Sequence, residues 1–419
     1  MTIGLFGREL TLAKSHCHGT HRACDPAATV ARYRPLASRI GLTRLANVTG
    51  LDIIGLPVWV AIRPNARGLS TSQGKGLTHD AARASALMES IETWHAETIE
   101  RAVVVESAAT LRRRAAIVDL TQLSHYADSL PRVDMPLPWI EGFDLMAQQP
   151  CWVPLEAVST NYVVSARGTT ETTFVQSTNG LAGGNHLLEA VTHALAELIE
   201  RDAVAAGAAA LRRLDRALRI ETAGIVDDDC RTVLGYLDRA GTTTAVFDLT
   251  SDVGVPVFAA SIVDADATSR WRTLPPFNGY GCHPSPAIAV LRAVTEAVQS
   301  RLTYISGSRD DISAADYARS GNVDDLASFR ARLDAGPPSR DFAAIPNRAT
   351  SSFDGDIAMM LAAVRRVGVN SVVAVDLAKP GLDVPVVKLV APGLAAPVSM
   401  IRGRAIRTPG RVATPALAA

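Results

Sequence analysis

The stretch Asn179–Ala203, "NGLAGGNHLLEAVTHALAELIERDA", sets a glycine-rich turn directly before a strong helix pattern. The helix is Ala- and Leu-rich, as a buried helix is, yet it carries Glu189, Glu197 and Glu200 along one side. At about 100° per residue, Glu189 and Glu200 point within roughly 20° of each other, and Glu197 lies about 60° from Glu200. No lysine alternates with them at i,i+4, so the like charges repel. Burying one unpaired carboxylate costs several kcal/mol, so such an edge calls for cations.

The stretch has two counterparts. "GKGLTHDAARASALMESIE" (74–92) and "NGYGCHPSPAIAVLRAVTEAVQSR" (278–301) each take a glycine-containing turn into a helix. The helices align without gaps on residues 86–92, 194–200 and 293–299. Glu89, Glu197 and Glu296 become equivalent, as do Glu92, Glu200 and Gln299. A second repeat is made of extended segments, with Val-rich strands expected after Pro57, Pro256 and Pro385. Copies about a hundred residues apart predict pseudo-symmetric α/β units around a shared centre, not a solenoid.

Composition bounds the rest. The 419 residues suit one large or two ordinary domains, and 47% apolar with 20% charged residues fits a globular protein. With 42 basic and 42 acidic side chains, nothing suggests a nucleic-acid or membrane partner. Five scattered cysteines make a disulfide framework unexpected, which fits a reducing cytoplasm. No signal-peptide pattern opens the chain, and no apolar run is long enough for a membrane span.

The glycines Gly74, Gly76, Gly180, Gly183 and Gly184 are read as letting backbone N–H groups approach an anion at a helix N-terminus, with Lys75 adding a charge. There is neither a Walker nor a Rossmann fingerprint. Hard oxygen ligands at this density suit Mg²⁺, which also takes phosphate oxygens and water. Elsewhere, "LTQLSHYADSL" is a weak helix. Residues 311–342 read as a helical insertion on the surface, and 356–378 as helix, turn and strand. The cluster His16, Cys17, His18, His21 and Cys24 fits no standard zinc spacing, and Cys282 is better explained by packing than by sulfur chemistry. His193 lies on the carboxylate face of its helix.

The segments 72–92, 177–203 and 287–301 resemble the YcaO superfamily, and residues 19–58 resemble members encoded beside a TfuA protein. The resemblance implies a YcaO-type α/β (α+β) fold of pseudo-symmetric units, with mixed or antiparallel sheets and motif helices lining a central ATP site. Residues 1–400 would form this domain, with motif helices at 80–95, 186–212 and 286–303 and a helical insertion at about 308–345. Residues 401–419 would be a flexible basic tail. It further implies ATP and Mg²⁺ as cofactors, with Glu89, Glu92, Glu189, Glu197, Glu200 and Glu296 as metal and phosphate-site ligands. Arg22, Thr29, Lys75, Ser85, Asn185, Arg201 and Arg292 would face the nucleotide, and Glu197, Glu200 and Arg201 would be catalytic.

The implied activity is ATP-dependent O-phosphorylation of a peptide backbone amide. Thioamide formation with a TfuA-like partner and a sulfur donor, on a ribosomally made precursor peptide or protein, is expected first. Azoline cyclodehydration, amidine formation and a non-catalytic peptide-binding scaffold are the alternatives. The C-terminus "TPALAA" lacks the PxPxP pattern of many azoline-forming members, and a fused leader-peptide-binding domain is not expected. A homodimer would be in keeping with the prevalence of twofold oligomers.

Overall fold

The computed structural model describes residues 3–163, 172–265, 274–320, 323–334, 336–396, 400–401 and 404–410. Nine elements position the site. They are strands β1 (Val58–Ile62), β2 (Thr71–Lys75), β3 (Leu181–Gly183), β4 (Val257–Asp264), β5 (Phe277–Cys282) and β6 (Val386–Val390), and helices α1 (His79–Glu97), α2 (Leu187–Arg212) and α3 (Pro286–Ser306). All three proline-led strands form where the sequence places them. The helix starts are also written locally: Thr78 and His186 accept backbone N–H bonds as N-caps, and Pro286 occupies the first turn of α3.

The two sequence repeats are halves of one unit. Each proline-led strand pairs antiparallel with a motif strand, in the same register: Val58 opposite Lys75, Val257 opposite Cys282, and Val386 opposite Gly183. Two units are continuous hairpins. The middle one is assembled from chain segments about two hundred residues apart, which local sequence patterns do not reveal. Three antiparallel sheets result. One adds Arg44–Asn47 beside β1; one adds Thr242–Asp248 beside β4. The largest runs β3, β6, Val373–Asp376, Pro136–Asp144 and Val103–Ser107, with Gln149–Pro154 also pairing Pro136–Asp144.

The units close into a ring. Besides its own unit, α1 packs against β3, α2 against β5, and α3 against β2. Three apolar cores lie at these junctions. Leu87 and Ile91 of α1 join Leu181 and Val386. Leu195 and Ile199 of α2 join Val257 and Cys282. Val294 and Val298 of α3 join Val58 and Phe258. Each helix stitches two sheets together, so its apolar surface extends around most of its circumference.

One of the motif glycines, Gly74, and its counterpart Gly281 sit inside strands and not in turns. Gly74 and Gly281 are strand residues pressed flat on the following helix. A Cβ on Gly74 would lie 2.1 Å from Ala82 O and Ala86 N, and one on Gly281 would lie 2.1 Å from Ala289 O. They permit close helix–strand packing. Other expectations also change. Residues 120–126 form a short 3₁₀ turn (Leu120–Gln122) and the strand His125–Tyr126, because Leu120, Leu123 and Tyr126 are all drawn into buried contacts. The insertion holds helices Ala314–Ser320 and Val323–Asp334, but Leu326 and Leu333 are core residues, so it is not wholly a surface feature. Of the tail, Arg404–Arg407 pairs with His125–Tyr126, while 411–419 lie outside the described residues. Among the described residues no helix is long and apolar enough to cross a membrane.

Gly281→Ala should therefore lower unfolding free energy by at least about 2 kcal/mol, because backbone atoms cannot yield as side chains can. Gly50→Ala, which meets open space, should stay within about 0.5 kcal/mol of the parent in the same denaturant titration.

Candidate active site

The helix alignment places residues in tiers down a common axis. Ser85, His193 and Arg292 form the first, Glu89, Glu197 and Glu296 the second, and Glu92, Glu200 and Gln299 the third. All nine line one cavity of about 730 Å³, within the size range of ligand sites. Along α1 its lining runs from Ala81 to Glu97, about 24 Å at 1.5 Å per residue. All thirteen residues singled out in the sequence line this cavity.

Backbone bonds hold the carboxylates in place. Glu89 accepts the Gln73 N–H at 3.0 Å and Glu296 the Tyr280 N–H at 3.3 Å, each 16 positions back along the chain. The third tier reaches across the ring. Glu92 accepts Gly183 N–H at 2.7 Å, and Glu200 accepts Cys282 N–H at 2.9 Å. Gly183 and Cys282 are equivalent strand ends, so one bond type joins unit one to two and unit two to three. The glycine-turn N–H at Gly183 thus serves a carboxylate, and Cys282 is a buried packing residue whose thiol burial pushes well above the ordinary value.

The remaining polar groups are arranged around this ring. Lys75 Nζ donates to Glu296 Oε2 at 2.7 Å. Arg292 Nη1 donates to His193 Nδ1 at 3.0 Å, while the buried Arg292 Nε has no hydrogen bond. Arg201 Nε stands 3.8 Å from Glu200. Asn185 Nδ2 donates to Thr29 at 2.9 Å, and its buried Oδ1 has no hydrogen bond. Glu189 sits apart, taking bonds from Arg22, Ala23 N–H and Asn185 N–H. In this state it ties the N-terminal segment to the start of α2 and is not grouped with the other five glutamates. Ser85 lines the cavity in the first tier.

Two contributors escaped the sequence reading. Lys388 of β6 donates to Ser177 O at 2.5 Å and Asn179 O at 2.6 Å, shaping the loop before β3. Arg309, from the start of the insertion, lines the cavity and pairs with Asp311 at 2.8 Å. Neither lies in a motif, so only the assembled fold shows them. The His/Cys cluster of residues 16–24 does not gather. His21 instead meets His283 and Asp356 within 4.8 Å. Lys14 Nζ already lies 2.6 Å from Asp356, and His283 Nδ1 accepts Ser285 N–H, so this group is charge-compensated without a metal.

Electrostatics test the fit of a nucleotide and Mg²⁺. The lining holds seven carboxylates against five Arg or Lys side chains. Burial pushes Glu89 and Glu197 up to about 7 and Glu92 to about 8, and raises Glu200. At Glu296 burial acts the same way, but Lys75, Arg201 and Arg292 outweigh it and hold the carboxyl below its ordinary value. A polyphosphate would add further negative charge, which multivalent cations, and not the chain's own five, can balance. The orphaned Arg292 Nε and Asn185 Oδ1 are ready partners for a polar ligand. The residues present fit Mg²⁺ and a nucleotide.

Comparison with known proteins agrees. The model of the family described as YcaO cyclodehydratase, ATP- and Mg²⁺-binding, matches residues 73–395. A Rhizobium leguminosarum bv. trifolii protein, named for its place in the tfuA 3′ region, is 36% identical over 386 residues, covering 90% of this chain and 89% of that protein. The YcaO from Methanopyrus kandleri, bound with AMPPCP and Mg²⁺, shares the fold with a TM-score of 0.71 and 23% identity over 91% of this chain and 94% of its own. A heterocyclase in complex with substrate and cofactor gives 0.76 and 22% identity over 93% of this chain, which spans about half (54%) of that heterocyclase.

The raised carboxyls carry a pH prediction. Glu89, Glu92 and Glu197 hold protons more tightly folded than unfolded, where the ordinary value is 4.5. Their stabilisation is complete below that value and lost as pH rises through 7 to 8. Buried His21 and His95, pulled to about 4, act oppositely, but only up to their ordinary 6.5. Metal-free protein should thus lose thermal stability between pH 6.5 and 8. Saturating Mg²⁺ with nucleotide, or Glu92→Gln, should flatten that slope in calorimetry; an already flat metal-free profile contradicts it.

Proposed function

The chain belongs to the YcaO family, and from that membership we propose that it is an ATP- and Mg²⁺-dependent enzyme activating a peptide backbone amide by phosphorylating its oxygen. The observation that carries this is the two-tier ring of Glu89, Glu92, Glu197, Glu200 and Glu296 around a shared cavity, all but Glu197 fixed by backbone bonds. A non-catalytic scaffold gains nothing from holding repelling carboxylates together.

In this reading Ser85, Asn185, Arg292, Arg22 and Thr29 hold the nucleotide at the first-tier end. The five ring glutamates hold Mg²⁺, and Glu189 completes the set once released from Arg22. Mg²⁺ held by these glutamates would offset charge on the transferring phosphoryl group. Arg201, beside Glu200, would contact that phosphoryl group, and Lys75 would exchange Glu296 for phosphate. A nucleophile adds to the amide carbon, and the amide oxygen takes the phosphoryl group and departs as phosphate.

The nucleophile sets the product. We infer thioamide formation, with sulfide-level sulfur from a donor and a TfuA-like partner. Its support is the relative from the tfuA 3′ region, with the resemblance of residues 19–58 to TfuA-linked members. Cyclodehydration to an azoline is the second reading, favoured by the cyclodehydratase description of the family.

ATP consumption should therefore require both a precursor peptide and the TfuA-like partner, with Glu197→Gln lowering kcat by about 10²–10³-fold, as for loss of a transition-state electrostatic contact. Unchanged turnover in that variant contradicts the site. Mass spectrometry separates the chemistries, because exchanging oxygen for sulfur adds about 16 Da and dehydration removes about 18 Da in an amide-activation scheme.

A further inference from the structure

One junction of the ring is built differently from the other two. Between units one and two, and two and three, a third-tier glutamate accepts a strand-end N–H. Between units three and one, that position is Gln299. It lines the cavity and makes no hydrogen bond among the described residues. Across the junction, on β2, stands Gln73. It is 94% buried, lines the same cavity, and its Nε2 has no hydrogen-bond partner. The strand-end residue at this junction is Lys75, which pairs with second-tier Glu296 at 2.7 Å, so two glutamine carboxamides mark the one junction without a third-tier carboxylate.

The cavity continues past the third tier here. Beyond Glu92 and Gln299 the lining continues along α1 with Thr93 and along α3 with Thr303, joined by Leu69 and Tyr162. Its two charged residues are already compensated. Glu97 pairs with Arg63 at 2.7 Å, and Arg309 pairs with Asp311 at 2.8 Å. The arm is thus neutral, part apolar and part hydroxylated, whereas the tiers above it are strongly acidic.

We propose that this arm is the acceptor subsite, and that Gln299 and Gln73 bind the backbone amide to be activated. A primary carboxamide donates two N–H bonds and accepts at its oxygen, which complements a peptide C=O and N–H together. Glutamate at position 299 would repel the amide oxygen as charge develops on it. Gln299 instead can donate to that oxygen while sitting level with Glu92 and Glu200, next to the cation-holding groups. The ligand class is an extended, uncharged peptide segment. This deepens the amide-activation reading above and rests on it.

The test uses a backbone-only probe, N-acetyl-tetraglycine amide, added to protein loaded with Mg²⁺ and AMPPCP. Probe affinity is followed by saturation-transfer NMR and nucleotide affinity by calorimetry. Gln299→Leu should weaken the probe about tenfold or more, the worth of a buried hydrogen-bond pair. Gln73→Leu should act in the same direction, and nucleotide affinity should change less than twofold in both. Gln299→Glu preserves shape but loses the donors, so it should fail with the probe as the Leu variant does. Undiminished probe binding in these variants, or no probe binding to nucleotide-loaded parent protein, overturns the subsite alone. Failure of the parent to bind Mg²⁺ and AMPPCP overturns the functional reading, and the subsite with it.

Discussion

The hydrogen bond from a strand-end N–H to a third-tier carboxylate is the interaction on which the site depends. Glu92 takes Gly183 N–H, and Glu200 takes Cys282 N–H. Each bond crosses from one unit to the next. Each fixes the rotamer of a glutamate that would otherwise swing away from its like-charged neighbours. The same contacts tie two of the three junctions together, so the geometry that joins the units also concentrates the charge. The resulting repulsion is a cost of the empty ring, and bound cations would remove it.

Much of this was legible in the sequence because it rests on local rules. Helix caps, the proline-led strands and the equivalence of Glu89, Glu197 and Glu296 follow from short patterns. What was not legible depends on long-range pairing. Val386–Val390 completes the middle unit by pairing with Leu181–Gly183, and no local signal connects them. Gly74 differs from its expected place for a related reason. A glycine before a helix suits an anion cradle and a tight strand–helix contact equally well, and only the neighbour's position separates the two. At Gly74 and Gly281 that neighbour is the helix backbone. Lys388, which shapes the loop before β3, and Arg309, which lines the cavity, lie outside the motifs and carried no signal.

The departures from threefold symmetry are as informative as the symmetry. A ring of three identical units would present six glutamates in its two lower tiers and no distinction between its junctions. Here one position is Gln299, one strand end carries Lys75 in place of Gly183 or Cys282, and Glu189 has no acidic counterpart in the other helices. These changes fall on opposite sides of the same cavity. Glu189 and Asn185 engage the N-terminal segment near the first tier, while Gln299 and Gln73 face the arm past the third. A symmetric ancestor-like scaffold could hold cations; a directional reaction needs unlike ends.

The central claim is that the carboxylate tiers enclose cations and a polyphosphate. Co-crystallisation with Mn²⁺ and AMPPCP, with anomalous diffraction to locate the metal, tests it most directly. The account predicts anomalous peaks between the second- and third-tier glutamates, with nucleotide phosphates on the side of Arg292 and Asn185. Metal found only on the surface, or nucleotide bound away from the ring, would contradict it.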